Sequence, residues 1–172
     1  RLFGVLNGGI WLLSIEFTKR RFKHCGTGVR LRWKLYVSAP QCVEIGNNVH
    51  VNENAFIRAE GGLVIGDNTH ISRNLVIYTM NHNYEGDSLP YDERKILKPV
   101  TIGKNVWIGM NVVIVPGVII GDGAIIGMGA IVSKDVSPLA IVGSAAIREL
   151  KYRDDEHYRR IESQSLYSGT GG

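Results

Sequence analysis

The stretch YTMNHNYEG, residues 78–86, holds the side chain best suited to proton transfer. An ordinary imidazole exchanges protons near neutral pH, so His82 could take a proton from an attacking hydroxyl. The other histidines stand at 24, 50, 70 and 157. None forms a zinc-type cluster with Cys25 or Cys42, and the two cysteines form no CxxC pair, so no metal site is expected. His82 also opens a polar run, NHNYEGDSLPYDERKILKP, in which Tyr84, Glu85, Asp87 and Tyr91 could contact a polar substrate. Long loops on rigid scaffolds tend to carry function. The expectation is therefore a general base at the root of a protruding loop over about 79–99.

The elements that must hold this loop are written in a period of six. From residue 102 the chain reads IGKNVW, IGMNVV, IVPGVI, IGDGAI, IGMGAI, VSKDVS, with an aliphatic residue at 102, 108, 114, 120, 126 and 132. Upstream, IGNNVH, VNENAF and IRAEGG carry the same pattern, which resumes two residues late as IGDNTH, ISRNLV and IYTMNH. Six matches neither the helical period nor a plain alternating strand. Gly, Asn and Asp at fixed offsets are residues that tolerate left-handed or turn angles. Each hexad therefore reads as one short strand and one corner. Three sides should close a triangular coil of eighteen residues with the first-place aliphatic pointing inward. The expected core domain is 39–147. Residues 1–38 should supply a helix over 2–17 and an irregular first coil over 25–37, and residues 148–172 a C-terminal helix and a frayed tail.

The chain has 172 residues, is 44% hydrophobic and carries a formal net charge of +4. One domain with a single core fits that length. The basic residues cluster in TKRRFK (18–23) and LKYRDDEHYRR (150–160), too scattered for a nucleic-acid surface. The cysteine usage points to a reducing, cytoplasmic setting. The apolar run at 2–17 reads as a packed helix. With the basic segment behind it, a weak contact of residues 1–23 with the inner face of a membrane is a second reading.

The hexads over about 39–147 resemble the left-handed parallel β-helix of the hexapeptide-repeat acyltransferases. The run from Asn52 to His82, followed by KPVTIGKNVWIGMNVVIVPGVIIG, is similar to the sugar O-acetyltransferase branch that includes galactoside, maltose and polysaccharide-modifying enzymes. The resemblance implies an all-β solenoid, acetyl-CoA as co-substrate and His82 as catalytic base. It places Asn52 and Glu60 at the acceptor sugar, and it places Trp107, Met110, Met128, Ser133, Lys134 and Arg148 along the donor. It also implies a homotrimer with sites between subunits. The family's usual GxPA[KR]V segment reads GSAAIREL here, which displaces the basic residue to Arg148. The C-terminal extension resembles those of lipopolysaccharide and capsule O-acetyltransferases and implies surface-polysaccharide modification. Other readings on the same scaffold are a chloramphenicol-type or amino-sugar N-acetyltransferase, a zinc-dependent carbonic anhydrase of the γ class, and a binding platform. The carbonic anhydrase needs two histidines five residues apart, and Thr ladders on one face would support an ice-binding platform; the sequence has neither.

Overall fold

The computed structural model describes residues 15–144 and 154–164. The hexads wind into a left-handed parallel β-helix of six coils with three flat sides. The first side stacks His24–Cys25, Val43–Ile45, Leu63–Ile65, Val100–Ile102 and Ile119–Ile120. The second stacks Arg30–Leu31, His50–Val51, His70–Ile71, Trp107–Ile108, Ile125–Ile126 and Ile141–Val142. The third stacks Tyr36–Ser38, Phe56–Arg58, Val76–Tyr78, Val113–Ile114 and Ile131–Val132. Strands of two or three residues cannot persist alone. Each is held because its backbone pairs with the coil above and below, and because alternate side chains, such as Val100 and Ile102 or Val106 and Ile108, enter the shared interior. Ile71, Ile77, Ile102, Ile108, Ile114 and Ile120 have no exposed surface at all, and burying each contributes about 1.5–3 kcal/mol.

The corners explain the Asn and Gly offsets. Asn48, Asn68 and Asn105 turn the first corner with φ of 53°, 57° and 57°, and Asn54, Asn74 and Asn111 turn the second with φ of 61°, 61° and 58°. Asparagine tolerates this left-handed geometry better than most residues. Its side chain also joins successive coils: Asn54 donates to Asn74 Oδ1 at 3.0 Å, and Asn74 donates to Asn111 Oδ1 at 2.7 Å.

Two expectations need correction. The coil is not eighteen residues throughout: His50 pairs with His70 twenty residues on, Trp107 with Ile125 eighteen on, and Ile125 with Ile141 sixteen on. The two additional residues of the lower coils lie in the third corner, at the 3-10 turn Pro40–Cys42 and at residues 59–62. Residues 25–37 are not irregular, since they form a first coil in full register with the second. The helix expected at 2–17 is helical over 15–20, and residues 1–14 lie outside the described residues. Of the C-terminal segment, Asp155–Ser163 is the helix expected there. Arg148 and the tail lie outside the described residues.

Candidate active site

The polar insertion at the third corner is not an open loop but an antiparallel β-arm. Met80–His82 pairs with Lys95–Leu97, with His82 opposite Lys95. The arm is fastened at its root. Thr79 is fully buried; its hydroxyl donates to the Arg58 carbonyl at 2.8 Å and accepts from Gly61 N–H at 2.7 Å. Its carbonyl accepts from Lys98 N–H at 2.8 Å, which joins both legs of the arm. A Cβ at Gly61 would collide with that carbonyl and with the Lys98 nitrogen, so only glycine lets the coil below approach so closely. Met80 is buried beside this knot.

Three residues beyond the knot, the imidazole of His82 is exposed and lies on the Tyr91 ring, with centroids 3.8 Å apart and planes 18° apart. Neither ring nitrogen of His82 forms a hydrogen bond among the described residues, so both can meet a substrate. Beyond His82 the arm is closed by Asp92. Its carboxylate accepts from Asn83 Nδ2 at 2.9 Å, from Arg94 N–H at 2.9 Å and from Arg94 Nε at 2.6 Å. Burial pushes this carboxyl's pKa up, but the hydrogen bonds from Arg94 and Asn83 outweigh it, and the net direction is down. A Cβ at Gly86 would strike the same carboxylate. Tyr91 is therefore held by its neighbour in a braced turn, and His82 is held by Tyr91.

Glu60 lies in the coil directly below the arm's root. Its Oε1 accepts from Arg58 Nε at 2.9 Å and Nη2 at 2.7 Å, while its Oε2 is buried without a hydrogen-bond partner. Burial raises the pKa of this carboxyl, Arg58, its own backbone N–H and the neighbouring Ser38 hydroxyl lower it, and the net direction is down. Asn52 sits at the second corner of an earlier coil and donates its amide to the Ile71 carbonyl at 3.0 Å. Its Oδ1 has no partner among the described residues. Met110 and Met128 occupy equivalent places of adjacent coils at the second corner, where Gly129 N–H donates to the Met110 carbonyl at 2.8 Å. Both are exposed, as is Trp107 on the second side, stacked in the strand ladder between His70 and Ile125. Ser133 and Lys134 lie on the third corner, the edge from which the arm departs, and are solvent-exposed. The structure thus pairs the two methionines, and it sets Ser133, Lys134, Glu60 and the arm along one edge. No contact joins Asn52 to His82. His50 and His70 are stacked on each other, with centroids 4.1 Å apart, and no three His, Cys, Asp or Glu side chains among the described residues could hold a metal ion.

Residues 99–134 match the bacterial transferase hexapeptide family, six repeats of which define its model. A comparison with curated proteins finds no match. Among solved structures, a maltose O-acetyltransferase from Clostridium difficile 630 superposes with a TM-score of 0.69 at 28% identity, covering 80% of this chain and 74% of its own. A hexapeptide-repeat acetyltransferase from Vibrio cholerae, complexed with acetyl coenzyme A, gives 0.67 at 29% identity, covering 82% and 76%. A galactoside acetyltransferase in complex with coenzyme A gives 0.62 at 29% identity, covering 83% and 71%. The chain is similar to the hexapeptide-repeat acyltransferases, and these likenesses support acyltransferase chemistry.

Sequence reasoning placed His82 at the base of an insertion but took Tyr91 only as one of several polar loop residues. It missed the brace of Asn83, Asp92 and Arg94 altogether. The available signal was weak. Asn83 and Asp92 flank a turn that contains Gly86 and Pro90, as turn chemistry favours, but only the register of the arm brings them together.

Proposed function

We propose that this acyltransferase moves the acetyl group of acetyl-CoA to a hydroxyl of a sugar by direct attack, with His82 as general base. The imidazole removes the hydroxyl proton as the oxygen adds to the thioester carbonyl. The tetrahedral adduct then expels the thiolate, the C–S bond breaks, and the imidazolium returns its proton to sulfur. No covalent acyl-enzyme is needed, and a general base of this kind supplies about 10²–10⁴-fold in rate. The observation that carries the reading is the presentation of His82: a ring positioned by Tyr91 on a fastened arm, with no competing hydrogen bond.

The acceptor side is Glu60 and Asn52. The unpartnered Oε2 of Glu60 is a buried acceptor that a sugar hydroxyl would satisfy, and Asn52 keeps its Oδ1 for the same purpose. The donor side is Trp107, Met110 and Met128, whose exposed apolar surfaces suit a pantetheine chain, with Ser133, Lys134 and Arg148 toward the phosphates. The protein works as a homotrimer whose sites lie between subunits. An apolar outward column on the third side, Tyr36, Phe56, Val76, Val113 and Ile131, supports a packing partner. We place the enzyme in the cytoplasm, acting in surface-polysaccharide modification; both described cysteines are free thiols. The test is thiol release from acetyl-CoA with a panel of sugars, sugar nucleotides and chloramphenicol. His82→Ala should lower turnover at least about a hundredfold with an unchanged melting temperature. Full activity in that variant removes His82 from the mechanism.

A further inference from the structure

Twenty-seven consecutive residues, 17–43, contain no Asp or Glu. They hold seven Lys and Arg, so this stretch carries more than the whole net charge of +4 and the rest of the chain is net acidic. The fold concentrates that charge at one end, since the stretch forms the first coil and the turn of helix leading into it. Two of the seven are paired: Lys19 with Glu16 at 2.8 Å and Lys23 with Glu44 at 2.6 Å. Arg20, Arg21, Arg30, Arg32 and Lys34 are all exposed and have no acidic partner among the described residues.

The same end exposes three large aromatics, Phe17, Trp33 and Tyr36, and the first two each carry a cation over the ring. Arg21 lies 5.7 Å from the Phe17 centroid and Lys34 lies 4.6 Å from that of Trp33. Phe17 is 63% exposed and Trp33 49%. An aromatic ring flanked by long cationic side chains suits the boundary between headgroups and acyl chains, where the ring is half desolvated and the cations meet lipid phosphates. In the sequence, residues 2–15 immediately before this end carry no charged side chain at all.

We propose that the first-coil end of the solenoid is a docking surface for an anionic lipid bilayer, and that it holds the enzyme peripherally at the membrane. In the sequence an uncharged, largely apolar segment immediately precedes the basic stretch, and together with the exposed aromatics this gives the two signals that stable peripheral binding requires. A nucleic acid would use the cations but gives no role to the apolar segment. No described helix is long and apolar enough to cross a membrane, so the contact is made on the surface. This inference does not depend on the acetyl acceptor or on His82.

The experiment is co-sedimentation of the full chain with phosphatidylcholine vesicles, with and without phosphatidylglycerol. The full chain should pellet with the phosphatidylglycerol vesicles and stay in solution with phosphatidylcholine alone, and added salt should release it. Each cation near an anionic surface multiplies partitioning about fivefold, so Arg20→Gln/Arg32→Gln/Lys34→Gln should weaken binding about a hundredfold. The melting curve and the turnover of a soluble acceptor should not change, because these residues pack against nothing in the core. Equal binding to both vesicle types, binding to neither, a triple variant that binds like the parent, or retention of a DNA duplex with no vesicle binding would each overturn the proposal.

Discussion

Removing the Tyr91 ring tests whether His82 is positioned by its stacking partner or by the arm alone. A stacked aromatic pair is worth about 0.5–1.5 kcal/mol beyond its buried area. With centroids 3.8 Å apart and planes 18° apart, His82 and Tyr91 make a full-face contact, and no hydrogen bond to the imidazole competes with it. Loss of that energy would let the imidazole sample its other rotamers, lowering the stacked population about two- to twelvefold. Tyr91→Ala should therefore reduce kcat by about that factor, well short of the effect of His82→Ala, while the KM for acetyl-CoA stays the same. Tyr91→Phe keeps the ring and should retain most of the activity. The assay is thiol release under saturating donor, with melting temperatures measured alongside, because Tyr91 is 44% exposed and its removal leaves the coils intact. Wild-type kcat in Tyr91→Ala would show that the strand pair alone orients the imidazole. A loss in Tyr91→Phe as large as in Tyr91→Ala would assign the effect to the phenol hydroxyl and refute the stacking argument.

Two predictions concern the scaffold. Ile114 has no exposed surface, so Ile114→Asp should abolish the folded state, whereas Ile114→Val should cost about 0.5–1.5 kcal/mol; circular-dichroism melts read both. Asn74 combines a left-handed backbone with two ladder hydrogen bonds, each worth about 0.5–1.5 kcal/mol. Asn74→Gly should lose only the bonds, while Asn74→Ala should lose a further kcal/mol or about that from backbone strain; urea midpoints that rank Ala above Gly would sink this account.

The interior was legible because its signal repeats. Every sixth aliphatic from Ile102 to Val132 is buried, and chance cannot mimic such a run. The corners were legible for the same reason, since Asn and Gly recur where φ is positive. The length of the lower coils was misjudged although the two-residue slip before Ile65 was visible, because a single slip in the sequence resembles an insertion. Only the pairing of Val43–Ile45 with Leu63–Ile65 shows that the wider corner belongs to successive coils. The arm was read as a loop because MNH and KIL are too short to carry a strand period. The Tyr91 contact depends on a register closed across twelve residues of turn, 83–94, which no local propensity encodes. His82 was marked by its place at the root of the insertion, and family likeness gave it a role, since a lone histidine has no pattern of its own.

The inward residues reveal why the arm sits where it does. Along the first and second corners the spacing never changes: Ile45 to Val51 to Ile57, Ile65 to Ile71 to Ile77, Ile102 to Ile108 to Ile114, and Ile120 to Ile126 to Val132. These are the corners laced by the two asparagine ladders, and an added residue there would break a chain of side-chain hydrogen bonds running through several coils. The third corner has no such ladder. Its inward residues are separated by Ile57 to Ile65 below the arm, by Ile77 to Ile102 across it, by Ile114 to Ile120 above it and by Val132 to Val136 at the top. Chain length can vary at that edge without disturbing the coils. An arm could grow from it, and Thr79 and Gly61 are the local means by which a rigid prism holds the His82 imidazole outside itself.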